Sequence, residues 1–239
     1  MYLIVLLPVL ALAQNNESSL LNMTEITLKQ GHETQFIEGV KLWKECYLEN
    51  KGPDSWNLWR RVQGEGVVYI FTGRMNNWAE MDEPTTEVNK ACRATIKDFI
   101  MPHVKSVNYN IARSIPEISR PPMADMKLVW VASFKVNNST EFNSVIKDVT
   151  SSLRSIEGQP RGFWFNVMGG APDQADYFVS IPFKNFAGLD IDVDGVWEVY
   201  EKVHGKKKTD ATRAKFRASV DSNWSYIYTL SEEISHQNK

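Results

Sequence analysis

Asn77-Trp78-Ala79-Glu80-Met81-Asp82 in the first half of the chain is answered by Asn185-Phe186-Ala187-Gly188-Leu189-Asp190 in the second. The match extends both ways. Upstream, Thr34-Gln35-Phe36 followed by Val40 parallels Thr140-Glu141-Phe142 followed by Ile146; Trp59 before Gly64-Glu65-Gly66 parallels Trp164 before Gly169-Gly170, and Tyr69 parallels Tyr177. Downstream, Ser106-Val107-Asn108 with Asn110 parallels Ser219-Val220-Asp221 with Asn223. Matches that keep one order along a chain mark an internal duplication.

Each copy reads strand, helix, two strands joined by a glycine-containing turn, helix, strand. Phe36, Val40, Trp43 and Tyr47 recur at helical spacing, so an amphipathic helix follows the first strand. Val67-Val68-Tyr69-Ile70-Phe71 and Phe163-Trp164-Phe165-Asn166-Val167 are instead apolar on both faces, and such strands need cover on both sides. A β-α-β-β-α-β unit makes an antiparallel sheet with both helices on one face; the second copy is there to cover the other. The expected fold class is therefore α+β, two tandem ferredoxin-like repeats whose antiparallel sheets pack into an intrachain barrel. The repeats are assigned to residues 22–115 and 125–232, with a proline-rich linker at 116–124 around Pro116, Pro121 and Pro122 and a tail at 233–239. Adjacent prolines continue neither a helix nor a central strand.

Of the 239 residues, 43% are apolar and 11% aromatic, enough for a packed core, and the 27 basic and 29 acidic residues nearly cancel. Nothing in that balance points to nucleic acid or anionic lipid. Residues 1–13 are almost wholly apolar and end in Ala11-Leu12-Ala13, the pattern of a signal peptide with a small-x-small cleavage site. A basic n-region is missing. Residues 14–21 read as a polar leader, and the mature protein is expected to be periplasmic or secreted, with no transmembrane segment after signal removal.

The order of elements, the start at Gly31, His32 and Phe36, the tryptophan before a glycine turn, and Trp78-Ala79 with Asp82 together resemble the dimeric α+β barrel superfamily. That superfamily includes antibiotic-biosynthesis-monooxygenase-like and NIPSNAP-like proteins, and the exported tandem-repeat members are the nearest in pattern. The likeness covers residues 22–232 and rests on fold-determining positions. It implies sheets packed face to face, an internal cavity, and functions that range from cofactor-free oxygenation and haem chemistry to ligand binding. Fold alone does not choose among these.

Asp190, Asp192, Asp194, Gly195 and Glu201 fill every specified position of the twelve-residue calcium loop. Three alternating carboxylates, the Val196 carbonyl and a closing Glu201 would suit one hard cation. The competing reading is an acidic loop entering a helix, with Asp194 as N-cap and Glu198 and Glu201 near the positive helix end; it is favoured because Ile191 and Val193 are apolar and copy one has Asp82-Glu83-Pro84-Thr85 there. No cofactor is required by the sequence, and calcium is the one it suggests. His32 is the best single acid or base for a cavity mouth, against the blander reading of a surface loop histidine. Haem would need a histidine on the cavity wall, and none is marked. Trp59, Tyr69, Trp164 and Tyr226 are the expected ligand-pocket residues, with core packing as the alternative for each. Arg60 and Arg61 alternate on their strand, so at most one enters a cavity. Cys46 and Cys92 fall near adjoining ends of two antiparallel helices; both a disulfide and two buried free thiols are compatible with that, the thiols being favoured.

There is no Ser-His-Asp order, P-loop, dinucleotide fingerprint or CxxC, so hydrolysis by such a nucleophile, nucleotide use and dithiol redox lack support. The expected function is binding of a small organic molecule in the barrel cavity. A cofactor-independent monooxygenase-like enzyme and an assembly protein without a small ligand are the alternatives, and oligomerisation is compatible with all three.

Overall fold

A computed structural model describes residues 17–82, 84 and 86–237. The signal-peptide reading of residues 1–13 lies outside them, as does the first part of the leader; Leu20 and Leu21 of that leader already belong to the first strand. No helix among the described residues is long and apolar enough to cross a membrane.

Copy one comprises β1 (Leu20–Leu28), α1 (Glu33–Glu49), β2 (Trp56–Arg61), β3 (Val68–Met75), the short helices α2 (Glu87–Ala91) and α3 (Arg93–Thr95), and β4 (Val104–Ser114). Copy two comprises β5 (Leu128–Val136), α4 (Ser139–Glu157), β6 (Phe163–Val167), β7 (Tyr177–Phe183), α5 (Val196–His204), α6 (Lys206–Ser219) and β8 (Val220–Leu230). The stretches that opened the sequence comparison are both 3₁₀ turns after the third strand of their copy, Trp78–Met81 and Phe186–Leu189. In the first, the Asn77 side chain accepts a hydrogen bond from the Ala79 N–H and so caps the turn.

The strands form one closed barrel in the order β1-β3-β2-β8-β5-β7-β6-β4. Each copy contributes four neighbouring strands in the same internal order, and the outermost strands pair antiparallel, β2 with β8 and β4 with β6. The α+β class and the intrachain barrel expected from the sequence are therefore what the structure shows.

The helices cover the outside of the barrel. Phe36, Val40 and Tyr47 of α1 bury against Leu28, Trp56, Leu58 and Tyr69. Phe142 and Ile146 of α4 bury against Tyr177, with Phe134 and Trp164 packed alongside. At Gly39, α1 approaches the π-helical turn Ile96–Ile100 so closely that a Cβ would sit 2.1 Å from the Phe99 carbonyl oxygen, which leaves glycine as the residue that fits. The second helix of each copy, expected as one helix, is broken. In copy two the break is at Gly205, whose positive φ ends α5 before α6 begins. In copy one it is at Cys92, which closes α2 and opens α3.

Cys46 and Cys92 are joined in a disulfide with a Cα separation of 5.9 Å, so the favoured reading of two free thiols is corrected. The bond ties α1 to the point where the second helix of copy one breaks. Residues 231–237 pack against copy one. Ile234 is fully buried in the core of copy one, Trp56 donates its indole N–H to the Ile234 carbonyl at 2.9 Å, and Leu58 donates its N–H to the Ser235 hydroxyl at 2.9 Å. The end of copy two thus straps the helical face of copy one.

Closing a loop of this length constrains the unfolded chain, so the double variant Cys46→Ser, Cys92→Ser is expected to lose about 2–4 kcal/mol of stability in urea denaturation. Wild-type protein under reductant should behave alike. An unchanged midpoint in both would show that helix packing alone holds this corner.

Candidate functional site: the barrel cavity

Alternation along eight barrel strands sends every second side chain inward. Leu21, Met23 and Glu25 of β1, Asn57 and Trp59 of β2, and Ile70, Thr72 and Arg74 of β3 line a central cavity of about 540 Å³. Asn108 and Asn110 of β4 complete the wall from copy one. The wall from copy two is Val129, Val131 and Ser133 of β5, Phe163, Phe165 and Val167 of β6, Phe178 and Ser180 of β7, and Trp224, Tyr226 and Tyr228 of β8. Met123 and Met126, from the segment between the copies, and Asp173 and Gln174, from the β6–β7 loop, also line it. The size and the mainly apolar wall with a few polar groups suit a small organic ligand.

Of the pocket residues expected from the sequence, Trp59 and Tyr226 face the cavity, whereas Tyr69 and Trp164 do not. Tyr69 is buried under α1 and Trp164 lies under α4. The ladder explains the correction. Trp59 pairs with Ile70, and Phe165 with Phe178; Tyr69 and Tyr177 immediately precede those partners and bond to the first helix of their copy, through Glu33 and Asn143. The counterpart of Trp59 is therefore Phe165, one residue beyond Trp164. A strand as apolar on both faces as β6 carries no alternation to show this.

Tyr69 serves a structural cluster instead. The Glu33 carboxylate accepts from Arg60 Nε at 2.6 Å, from Arg60 Nη2 at 3.2 Å and from the Tyr69 hydroxyl at 2.8 Å. The Arg60 bonds hold the Glu33 carboxyl below the usual range, while burial, reinforced by Glu33, pushes the Tyr69 phenol up. Arg60 thus points outward. Arg61, its neighbour, turns the other way and stacks 4.7 Å from the centroid of the Tyr226 ring.

His32 is not at the cavity. Its Nδ1 lies 2.9 Å from Nδ1 of His103, at the start of α1 and against the turn before β4. The calcium pattern is likewise split: Val196 and Glu201 belong to α5, Asp194 pairs with Lys202, and the Asp194 carbonyl accepts from Arg161 at 2.7 Å. Asp190 follows the 3₁₀ turn and Asp192 lies in the exposed segment before α5. No group of three metal-ligating side chains converges among the described residues. Gly195 rather than Asp194 is the N-cap, its N–H donating to Glu198 at 2.7 Å.

Haem, one of the chemistries the resemblance implies, does not match the donor set on the cavity wall. Among the described residues neither a histidine nor a cysteine side chain, the axial ligands of globin-, peroxidase- and P450-type haem, lines the cavity.

No protein-family profile and no curated protein matches this sequence. Solved structures do match in fold. A "putative monooxygenase" from Lactobacillus acidophilus NCFM superposes with a TM-score of 0.52 at 11% identity, over 90% of this chain and 94% of that one. A mutant chlorite dismutase from Candidatus Nitrospira defluvii gives 0.54 at 10% identity, over 90% and 94%. Another "putative monooxygenase", from Fusobacterium nucleatum, gives 0.50 at 13% identity, over 89% and 92%.

Glu33 favours the folded state above the pH at which it titrates in the unfolded chain, roughly 4.3. That contribution is lost as pH falls through its lower folded value. The stability difference between wild type and Glu33→Gln, measured by urea denaturation, should be constant from about pH 5 to 8 and shrink below about pH 4. A gap that persists at low pH would mean the glutamine disrupts packing rather than charge. The chain adopts the fold of the dimeric α+β barrels, with both halves of the barrel in one polypeptide.

Proposed function

We propose that this protein binds a small organic molecule, mainly apolar and planar, inside the barrel. The observation that carries the reading is the cavity itself: about 540 Å³, with Trp59, Phe163, Phe165, Phe178, Trp224 and Tyr226 on its wall and polar side chains between them. A solid core of the same residues would have excluded a ligand. The disulfide between Cys46 and Cys92 supports a periplasmic or secreted setting, since such bonds persist in oxidising compartments; the apolar, small-residue-terminated start of the chain supports it too.

The second reading is a cofactor-independent oxygenase. Two fold neighbours carry the description "putative monooxygenase", and the Glu25 carboxylate and the Tyr228 phenol both line the cavity, side chains of the kind that serve as acids and bases.

Val131 faces the cavity, so Val131→Trp should plug it. In calorimetric titration, 2-naphthalenemethanol is expected to bind wild type and to lose at least about tenfold in affinity on the variant, with little change in melting temperature. Unchanged affinity would put the probe elsewhere and sink the cavity reading. Oxygen uptake with a phenolic aromatic compound, abolished by Val131→Trp, would favour the oxygenase; its absence in wild type leaves binding.

A further inference from the structure

The two copies supply equivalent wall positions but not equivalent chemistry. Strand registers relate Glu25 to Ser133, because Ile26 pairs with Tyr69 as Phe134 pairs with Tyr177. Asn108 pairs with Glu25 and Trp224 with Ser133, so Asn108 corresponds to Trp224 and, two residues on, Asn110 to Tyr226. By the same ladders Asn57 corresponds to Phe163, and Arg74 to Pro182. The barrel is nearly two-fold in backbone and strongly polarised in side chains. At these strand positions copy one carries Glu25, Asn57, Asn108 and Asn110 where copy two carries Ser133, Phe163, Trp224 and Tyr226.

The inner ionisable group of the copy-one wall is Glu25. Arg74 and Asp173 line the cavity but are solvent-exposed at its rim, whereas Glu25 is only partly accessible. Among the described residues no ion pair or hydrogen bond reaches its carboxylate. Arg61 stacks on Tyr226 and donates through Nη2 to the Glu65 carbonyl, while its Nε is buried without a hydrogen-bond partner. The Gln174 Oε1, on the same cavity lining, is buried without a hydrogen-bond partner. A carboxylate only accepts hydrogen bonds, and so does a carboxamide oxygen. Partly shielded from water and without a hydrogen-bond partner of its own, the Glu25 carboxylate favours a ligand group that donates hydrogen bonds and carries positive charge.

We propose that the cavity selects an organic amine: a protonated nitrogen held at Glu25, and an apolar or aromatic body lying against the rings of copy two. The electron-rich face of Trp224 adds to the attraction for a cation. This rests on the cavity being a ligand site, and the test separates the two claims.

Three probes with one aromatic body, 2-naphthylmethylamine, 2-naphthalenemethanol and 2-naphthoate, would be titrated calorimetrically into the full chain near pH 7. The amine should bind at least about tenfold tighter than the alcohol, and the carboxylate most weakly. In Glu25→Gln, close in shape to the original, the preference for the amine should vanish while the alcohol changes less than about threefold. An amine no tighter than the alcohol, a carboxylate as tight as the amine, or an amine preference that survives Glu25→Gln would overturn the assignment while leaving the cavity a binding site. Failure of all three probes to bind would remove the small-molecule reading itself, and this inference with it.

Discussion

The structure depends on the closure of two strand edges. A four-stranded sheet ends in two rows of unpaired N–H and C=O groups, and here each copy offers its edges to the other. Trp59, Arg60 and Arg61 of β2 face Leu230, Thr229 and Tyr228 of β8, while Ala112, Arg113 and Ser114 of β4 face Val167, Asn166 and Phe165 of β6. Those short seams turn two sheets into one barrel. They also divide every strand residue into inside and outside, and the helices already occupy the outside. The cavity is the consequence, because rings at opposite walls of an eight-stranded barrel leave room for a ligand.

Fusion in one chain makes the halves unequal in ways that two identical subunits would not permit. The segment between the copies brings Met123 and Met126 to the cavity, and the segment after β8 buries Ile234 under α1 of the other copy. Copy one carries the disulfide and the Glu33–Arg60–Tyr69 cluster. Copy two instead holds its helices through Tyr200, which bonds Asp148 and Thr212, and through His204, 3.0 Å from the Ser152 hydroxyl. Duplication supplied the symmetric scaffold, and divergence left Asn57, Asn108 and Asn110 in copy one where copy two has Phe163, Trp224 and Tyr226.

Much of the site escaped the sequence for a definite physical reason. Parity along a strand identifies a cavity wall only after one residue is known to face inward, and β6 is apolar on both faces. Trp164 therefore passed for a partner of Trp59 when Phe165 is the inward residue. Counting by twos from Tyr226 reaches Trp224 and Tyr228, and counting by twos along β1 reaches Glu25, but nothing local says which parity is inside. The aspartates of 190–194 fit a calcium loop as a string of letters; no three ligating side chains converge among the described residues, a helix starts after Gly195, Lys202 pairs with the Asp194 carboxylate, and Arg161 binds the Asp194 carbonyl.

What the amino-acid sequence determined by itself was the duplicated β-α-β-β-α-β order, the amphipathic first helices and the need of two-faced apolar strands for cover, since helical and strand periodicity are local properties of the chain. The strand registers that close the barrel, the inward choice of Glu25, Asn108 and Tyr228, the outward choice of Tyr69 and Trp164, and the bond between Cys46 and Cys92 were decided by tertiary structure alone. Each depends on register between strands or on contact between helices far apart in sequence, and a single residue of slip reverses which face a side chain takes.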